Sequence, residues 1–255
     1  MTSLPVVVIG GCPRSGTTAL FNVLMSDDRF AIGLERYLRH CINDTITADL
    51  WTFDRFNELR ADDTHVLRTH PNWHMAEPAF ERIRVNPERL AYIGDKLPRA
   101  ARCYPSLFRS APTAKLLYLL RDPLEVAASF ERRAQNPQDS WRAELDHRAA
   151  VDFWNFDLAR TMEFYSPARV LILPYETVFA RPEAIDAIFG FLGLDISPEV
   201  RAAHEAAAKE NADLRANRSQ MNSAQVDFVR NHADYGTYQQ LLDHAPQRCD
   251  PRPRR

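Results

Sequence analysis

The stretch LPVVVIGGCPRSGTTALFNVL, residues 4–24, decides how the rest of the chain is read. Its apolar run Val6–Ile9 has the length and branching of a short strand, and Gly10, Gly11, Pro13, Ser15 and Gly16 make a tight turn. From Thr17 the pattern becomes helical. Gly11 and Gly16 have four residues between them in a strand–turn–helix context, the spacing of a phosphate-binding loop. Such a turn aims free backbone N–H groups and the positive end of a helix dipole at one point. Consecutive amides there form a nest for a tetrahedral oxyanion, and Ser15, Thr17 and Thr18 add hydroxyl donors. The position that holds lysine in nucleotide hydrolases is Thr17, and the nearest cation is Arg14. A planar, permanently charged guanidinium in place of that lysine suits an end group of lower charge than a triphosphate, with no divalent metal required.

Further apolar runs occur at Leu90–Ile93, Lys115–Leu120 and Arg169–Leu173, with helical patterns at Thr17–Ser26, Leu124–Arg133, Arg142–Tyr165 and Pro182–Leu192. Continuous apolar runs suit strands buried on both faces of a parallel sheet, and their alternation with helices predicts a doubly wound, mainly parallel α/β fold flanked by helices. The 255 residues fit one α/β domain over residues 1–244. Residues 36–88 read as a helical or irregular insertion, either an acceptor lid or a structural elaboration. Residues 245–255, with three prolines and four arginines, read as a flexible basic tail.

A net charge of about −2 gives no basic field for nucleic acid or an acidic membrane, so any anion must be held by a local constellation. Cys12, Cys41, Cys103 and Cys249 have neither CxxC nor CxxH spacing. The expectation is therefore reduced thiols, no zinc site and a cytoplasmic protein. Val6–Ile9 is too short to span a membrane and lacks the basic flank of a signal peptide.

A second constellation follows the run Lys115–Leu120. Arg121 stands at the strand's carboxyl end, where open α/β sheets bind ligands, and Pro123 is suited to start a helix. Ser129, eight residues after Arg121, lies two turns along and can face the same anion. The alternative is an arginine paired with Asp122 and a serine facing solvent.

Pro13-Arg14-Ser15-Gly16-Thr17-Thr18 resembles the 5′-phosphosulfate loop of sulfotransferases that use 3′-phosphoadenylyl sulfate, with arginine as in the tyrosylprotein and carbohydrate branches. Arg121 and Ser129 resemble the family's grip on the ribose 3′-phosphate. Gly94-Asp95-Lys96-Leu97-Pro98 resembles the G-[DE]-K-T-P segment of bacterial members, with Leu97 in place of threonine. Pro174-Tyr175-Glu176 looks like the segment whose tyrosine packs near adenine. The resemblance spans roughly residues 5–195 and implies a P-loop NTPase-like fold, sulfonate transfer to a hydroxyl and no metal. It implies donor contacts from Arg14, Ser15, Gly16, Thr17, Thr18, Arg121, Ser129 and Tyr175, and adenosine 3′,5′-bisphosphate as product. Two departures stand out. The adenine-stacking tryptophan of the cytosolic branch is Ala19 here, and no clear glycine- and lysine-rich loop follows Leu194, so Arg218 becomes the nearest candidate for the second half of the 3′-phosphate site.

Glu35 lies 21 residues after Arg14, as does the catalytic glutamate of the tyrosylprotein branch, and is the candidate base. The alternative is a surface glutamate paired with Arg36 or Arg39. His70, in Arg68-Thr69-His70-Pro71, is the rival base, although Lys96 occupies the place of the cytosolic branch's histidine segment. Lys96 and Arg14 are assigned to charge on the bridging and sulfonate oxygens. Trp51, Phe53, Phe56, Trp73, Trp141, Phe153 and Trp154 are either cleft aromatics or core. The acceptor is left as a small molecule, glycan or lipid hydroxyl. The competing functions are a P-loop nucleotide-dependent kinase and a non-catalytic nucleotide-binding protein.

Overall fold

The computed structural model describes residues 4–139, 141–216 and 221–246. Arg218, Cys249 and the tail from residue 247 lie outside them. In chain order the elements are β1 (Val6–Gly10), α1 (Thr17–Met25), β2 (Phe30–Leu34), α2 (Leu38–Ile42), α3 (Phe53–Asn57), α4 (Trp73–Val85), β3 (Tyr92–Lys96), α5 (Tyr104–Ser110) and β4 (Lys115–Leu120). They continue with α6 (Pro123–Ala134), α7 (His147–Phe164), β5 (Val170–Pro174), α8 (Tyr175–Val178), α9 (Glu183–Leu192), α10 (Pro198–Ala216), α11 (Ser223–His232) and α12 (Tyr235–Asp243).

The five strands form one parallel sheet in the order β2-β3-β1-β4-β5. All residues of β1, β2, β3 and β5 are buried, which is why their apolar runs show no alternation. The order reverses beside β1, so the chain leaves β1 and β4 toward opposite sides and opens a crevice at their carboxyl ends. The phosphate-loop segment sits at the middle of that edge, Glu35 and Lys96 follow the strands on one side, and Arg121 and Tyr175 follow those on the other.

One expected strand is displaced. The apolar run at residues 90–93 places the strand too early, because β3 runs on through Gly94, Asp95 and Lys96. Those residues pair on both flanks, Asp95 opposite Val8 and Gly33, and Lys96 opposite Ile9 and Leu34. The helix expected from residue 142 begins at His147, where the Asp146 carboxylate caps the N–H groups of Arg148 and Ala149. Before it, Trp141 Nε1 donates to the Leu145 carbonyl and closes the preceding turn. Within residues 36–88 lie α2, α3 and α4, and α4 packs against β2.

Candidate active site

A cleft of about 880 Å³ opens along the carboxyl edge of the sheet. Among its described lining residues seven are arginine or lysine and only two, Glu35 and Glu125, are carboxylates. On a chain of net charge −2 this concentrates the positive potential in one place.

At the centre is the turn before α1. Gly16 is the N-cap, with φ +91 and no side chain to cap the helix, so the first-turn N–H groups remain available. A Cβ at this position would lie 2.3 Å from the Tyr175 ring, so both backbone conformation and space require glycine. The Ser15 hydroxyl is buried and without a hydrogen-bond partner among the described residues, and the same holds for Arg121 Nε. Buried donors left open around a nest of amides are what an anionic ligand satisfies. Gly16, Thr17 and Thr18 line the cleft.

Arg14 has φ +74, an unusual conformation for a side chain-bearing residue. Arg121 Nη1 donates to its carbonyl (2.7 Å), and Arg14 Nε donates to Ser129 Oγ (3.1 Å). The sequence reading aimed Arg14 at the sulfonate and paired Ser129 with Arg121; in the structure Arg14 bonds to both of them. Burial first, then Arg133, Arg132 and Arg121, lower the Arg14 pKa to about 10, which leaves it protonated at neutral pH. Arg121 stacks on the Tyr175 ring (4.1 Å), and its carbonyl accepts from Trp154 Nε1 (2.9 Å). Asp122 does not pair with Arg121: its carboxylate caps α6 by accepting the Leu124 N–H (2.8 Å). The Tyr175 hydroxyl donates to Asn211 Oδ1, so Tyr175 braces Arg121 and the Gly16 turn together.

At the other end, Lys96 Nζ donates to Glu35 Oε1 (2.7 Å). The lysine side chain is 4% exposed and the glutamate 22%. Neither Arg36 nor Arg39 takes the Glu35 carboxylate. Arg36 is buried against Asp63 (2.6 Å), which also accepts from Arg55 and contacts His40 Nε2. The His70 ring also lines the cleft, where its Nδ1 accepts the Asn72 N–H (3.1 Å). In the tautomer that makes this contact, Nε2 carries the ring N–H. His65, which sequence reading left without a role, stacks edge-on to His70 at 5.3 Å and also lines the cleft. Burial lowers its pKa, against the opposing pull of Glu35.

Among the seven aromatics considered for the cleft, Trp141 lines it; Trp51, Phe56 and Trp154 are buried in the core, and Phe53, Trp73 and Phe153 pack against that core. Arg230 enters the lining from α11, which residue spacing had not suggested. A Glu131 bridge carries it there, since its carboxylate accepts from His147 at the start of α7 and from Gln225 on α11. Glu131, Asp146 and His147 place ligand-type atoms within 4.8 Å of one another, but Glu131 is already occupied by these bonds.

A glycine turn with open N–H donors at the switch point of a parallel sheet, flanked by separate cationic groups, has the chemistry to receive a multiply charged anion. The Sulfotransferase family model matches residues 5–198, most of the chain, and the protein belongs to that family. It is a sulfotransferase with the P-loop NTPase-like fold of its structural neighbours. The sulfotransferase domain of the Synechococcus PCC 7002 olefin synthase superposes with a TM-score of 0.56 at 18% identity, covering 94% of each chain. Sulfotransferase STF9 from Mycobacterium avium gives 0.53 at 14% identity, covering 99% of this chain and 79% of its own. STF1 from Mycobacterium tuberculosis H37Rv gives 0.50 at 18% identity, over 80% and 71%. At these identities the likeness establishes the fold. No curated protein matches the chain. Among the described residues no helix is long and apolar enough to cross a membrane.

Proposed function

We propose that the protein transfers the sulfonate of 3′-phosphoadenylyl sulfate to a hydroxyl of a small-molecule, glycan or lipid acceptor in the cytoplasm, without a metal. The observation that carries this reading is the pairing of Glu35 with Lys96 beside a lysine-free phosphate loop, in a cleft whose far side holds Arg121 and Ser129. The co-substrate supplies an activated sulfonate and a phosphate leaving group. Gly16, Thr17 and Thr18 receive its 5′ end through N–H and hydroxyl donors, and the Ser15 hydroxyl and Arg121 Nε offer unused bonds. Arg121 and Ser129 hold the 3′-phosphate, and Tyr175 lies beside the adenine.

Glu35 is the base in this reading because its carboxylate needs only to be ionised, whereas His70 presents an N–H. Glu35 takes the acceptor's hydroxyl proton as the oxygen forms its bond to sulfur. The bond from sulfur to the phosphate oxygen breaks, and that oxygen keeps the electron pair. Lys96, released from Glu35 as the proton arrives, stabilises the charge growing on the bridging oxygen. Arg14 serves the same end with the four guanidinium N–H groups that Ser129 leaves unused. Residues 36–88, which bring His65, His70 and Met75 to the cleft, form the acceptor lid. Arg218 and Arg230 are the candidates for a further cation at the 3′-phosphate.

Thermal unfolding with adenosine 3′,5′-bisphosphate, AMP, and ATP plus Mg²⁺ tests the assignment. At a hundred times Kd the bound nucleotide adds about 2.7 kcal/mol, or roughly 5–11 °C for a chain of this size. Stabilisation by the bisphosphate well above AMP is expected, followed by turnover with an acceptor panel. Preference for ATP with Mg²⁺ would point to a kinase. Bisphosphate binding that survives in a chain indifferent to loss of Glu35 and Lys96 would point to a non-catalytic binder.

A further inference from the structure

A buried carboxylate behind the cleft wall belongs to neither end of the ion pair. Asp95, fully buried on β3, lies between the strands that carry the phosphate loop and Glu35. Its Oδ1 accepts the Arg36 N–H (3.0 Å) and its Oδ2 the Tyr37 N–H (2.8 Å). The residue just before these two amides is Glu35, which has φ +54. On its other side the Glu35 N–H donates to the Lys96 carbonyl (3.1 Å), continuing the β2–β3 ladder for one more bond. Glu35 is thus clamped before and after by neighbouring residues of one strand, and the second of them, Lys96, also holds its side chain.

Left-handed backbone at a residue with a Cβ is unfavourable and persists only where its surroundings impose it. Here the two N–H bonds to Asp95 do so. The site is shaped for that contact. Gly33 stands opposite Asp95 in register, and a Cβ there would lie 3.0 Å from Asp95 Oδ1 and 2.5 Å from the Arg36 Cβ. The Arg36 guanidinium is committed to Asp63 and to the Phe56 and Glu58 carbonyls, so it gives Asp95 no counter-charge. Two backbone donors on two carboxylate oxygens bond most strongly to the ionised form. A proton on either oxygen removes the charge and weakens the bond which that oxygen accepts.

We propose that Asp95 is a positioning residue for the sulfonate-transfer step: its ionised carboxylate, by holding the Arg36 and Tyr37 amides, fixes Glu35 in the turn from which it meets Lys96 and the acceptor, so turnover follows the ionisation of Asp95. This deepens the sulfotransferase reading and rests on Glu35 acting as its base. The groups facing Asp95 are Glu35, Tyr37 and Cys41 from the segment after β2, and Lys96 from its own strand. Burial, with Glu35 acting in the same direction and against the two amides and Lys96, raises Asp95 to about 7. Both of its forms are then populated near neutrality.

Asp95→Asn keeps one acceptor oxygen but turns an N–H₂ donor toward a backbone N–H. The expected result is a fall in kcat of about 10- to 100-fold, part of the roughly 10²–10⁴-fold that a placed base contributes. Acceptor KM and the thermal shift by adenosine 3′,5′-bisphosphate should stay within twofold and 1 °C of wild type, about the scatter of such measurements. The acid limb of the wild-type kcat profile should disappear in the variant. Loss of bisphosphate stabilisation together with kcat would mean that Asp95 merely supports the fold, and kcat within twofold of wild type would equally overturn the assignment. Should Asp95→Asn not fold, carboxyl ¹³C titration of the wild-type enzyme decides. A buried aspartate titrating together with the acid limb of kcat supports it, and one titrating apart from that limb refutes it. A wild-type chain that neither binds the bisphosphate nor turns over any acceptor would remove the sulfotransferase reading itself, and this assignment with it.

Discussion

Replacing the two members of the Glu35–Lys96 pair separately should give unequal losses of stability and similar losses of activity. Lys96 is 4% exposed and Glu35 22%, so the lysine carries most of the desolvation. Glu35→Ala leaves an ammonium group inside the protein without its carboxylate. Removing one partner of a fully buried pair costs about 3–5 kcal/mol. Because water reaches the glutamate side, about 2–3 kcal/mol is expected here. At roughly 2–4 °C per kcal/mol, the melting temperature should fall by about 4–12 °C. Lys96→Met removes the buried charge instead, and the half-sheltered Glu35 can hydrate in its absence, so the cost should be about 1 kcal/mol or less. Turnover should nevertheless fall about 10²–10⁴-fold without the base, and about 10²–10³-fold without the lysine. The double variant Glu35→Gln/Lys96→Met should approach wild-type stability with no measurable transfer. The assay is thermal unfolding by circular dichroism beside kcat with a saturating donor. A Lys96→Met variant that melts as low as Glu35→Ala would refute the reasoning, as would a Glu35→Ala variant that melts with wild type.

Ser129→Ala removes a hydroxyl that accepts from Arg14, and a hydrogen bond to a charged group contributes about 1.5–3 kcal/mol. The expected outcome in calorimetry is roughly 10- to 100-fold weaker binding of adenosine 3′,5′-bisphosphate and nearly unchanged binding of AMP; equal weakening of both would count against a 3′-phosphate role. Gly16→Ala drives a methyl group to 2.3 Å from the Tyr175 ring at a residue with φ +91, so bisphosphate stabilisation should vanish in a thermal scan even if the chain still folds. Stability should depend on pH through Asp95, whose pKa near 7 lies above the roughly 3.9 of an unfolded aspartate. Its contribution is full below about 3.9 and is lost as pH rises through 7, amounting to about 4 kcal/mol. The melting temperature of wild type relative to Asp95→Asn should therefore drop between pH 5 and pH 8, while kcat rises over the same interval. A flat difference would contradict the buried, titrating carboxylate.

What could be read from residues alone was local. The turn at residues 10–18 is recognisable because strand, glycine spacing and helix follow one another directly. Arg121 and Ser129 are recognisable because a strand end followed at once by a helix brings both to the cleft. Contacts made across the sequence stayed hidden. Asp95 and Lys96 fell outside the expected strand because its apolar run ends at Ile93, and only the Arg36 and Tyr37 amides, nearly sixty residues away, make a buried carboxylate tenable. The aromatic residues after residue 50 read as either cleft or core, and packing decided: Trp51 meets Tyr37 edge-on, and Trp154 meets Tyr238. Arg230 was out of reach because its helix is held by Gln225 against Glu131, a bond that spans 94 positions.

The two ends of the cleft share a construction that clarifies why the sequence tolerates strain there. Among the described residues three non-glycine positions have left-handed backbone, and two of them are Arg14 and Glu35. Each is held by a neighbour that itself belongs to the site. The Arg121 guanidinium secures the Arg14 carbonyl, and the Lys96 carbonyl secures the Glu35 amide. The third, Asp44, is held through its side chain to the Ser106 amide, away from the cleft. Away from the cleft the strained backbone is anchored by Ser106, and at the cleft by Arg121 and Lys96, which line it. Two unusual conformations at the cleft are thereby fixed by residues that line it, so the backbone of Arg14 and of Glu35 is set by the fold itself.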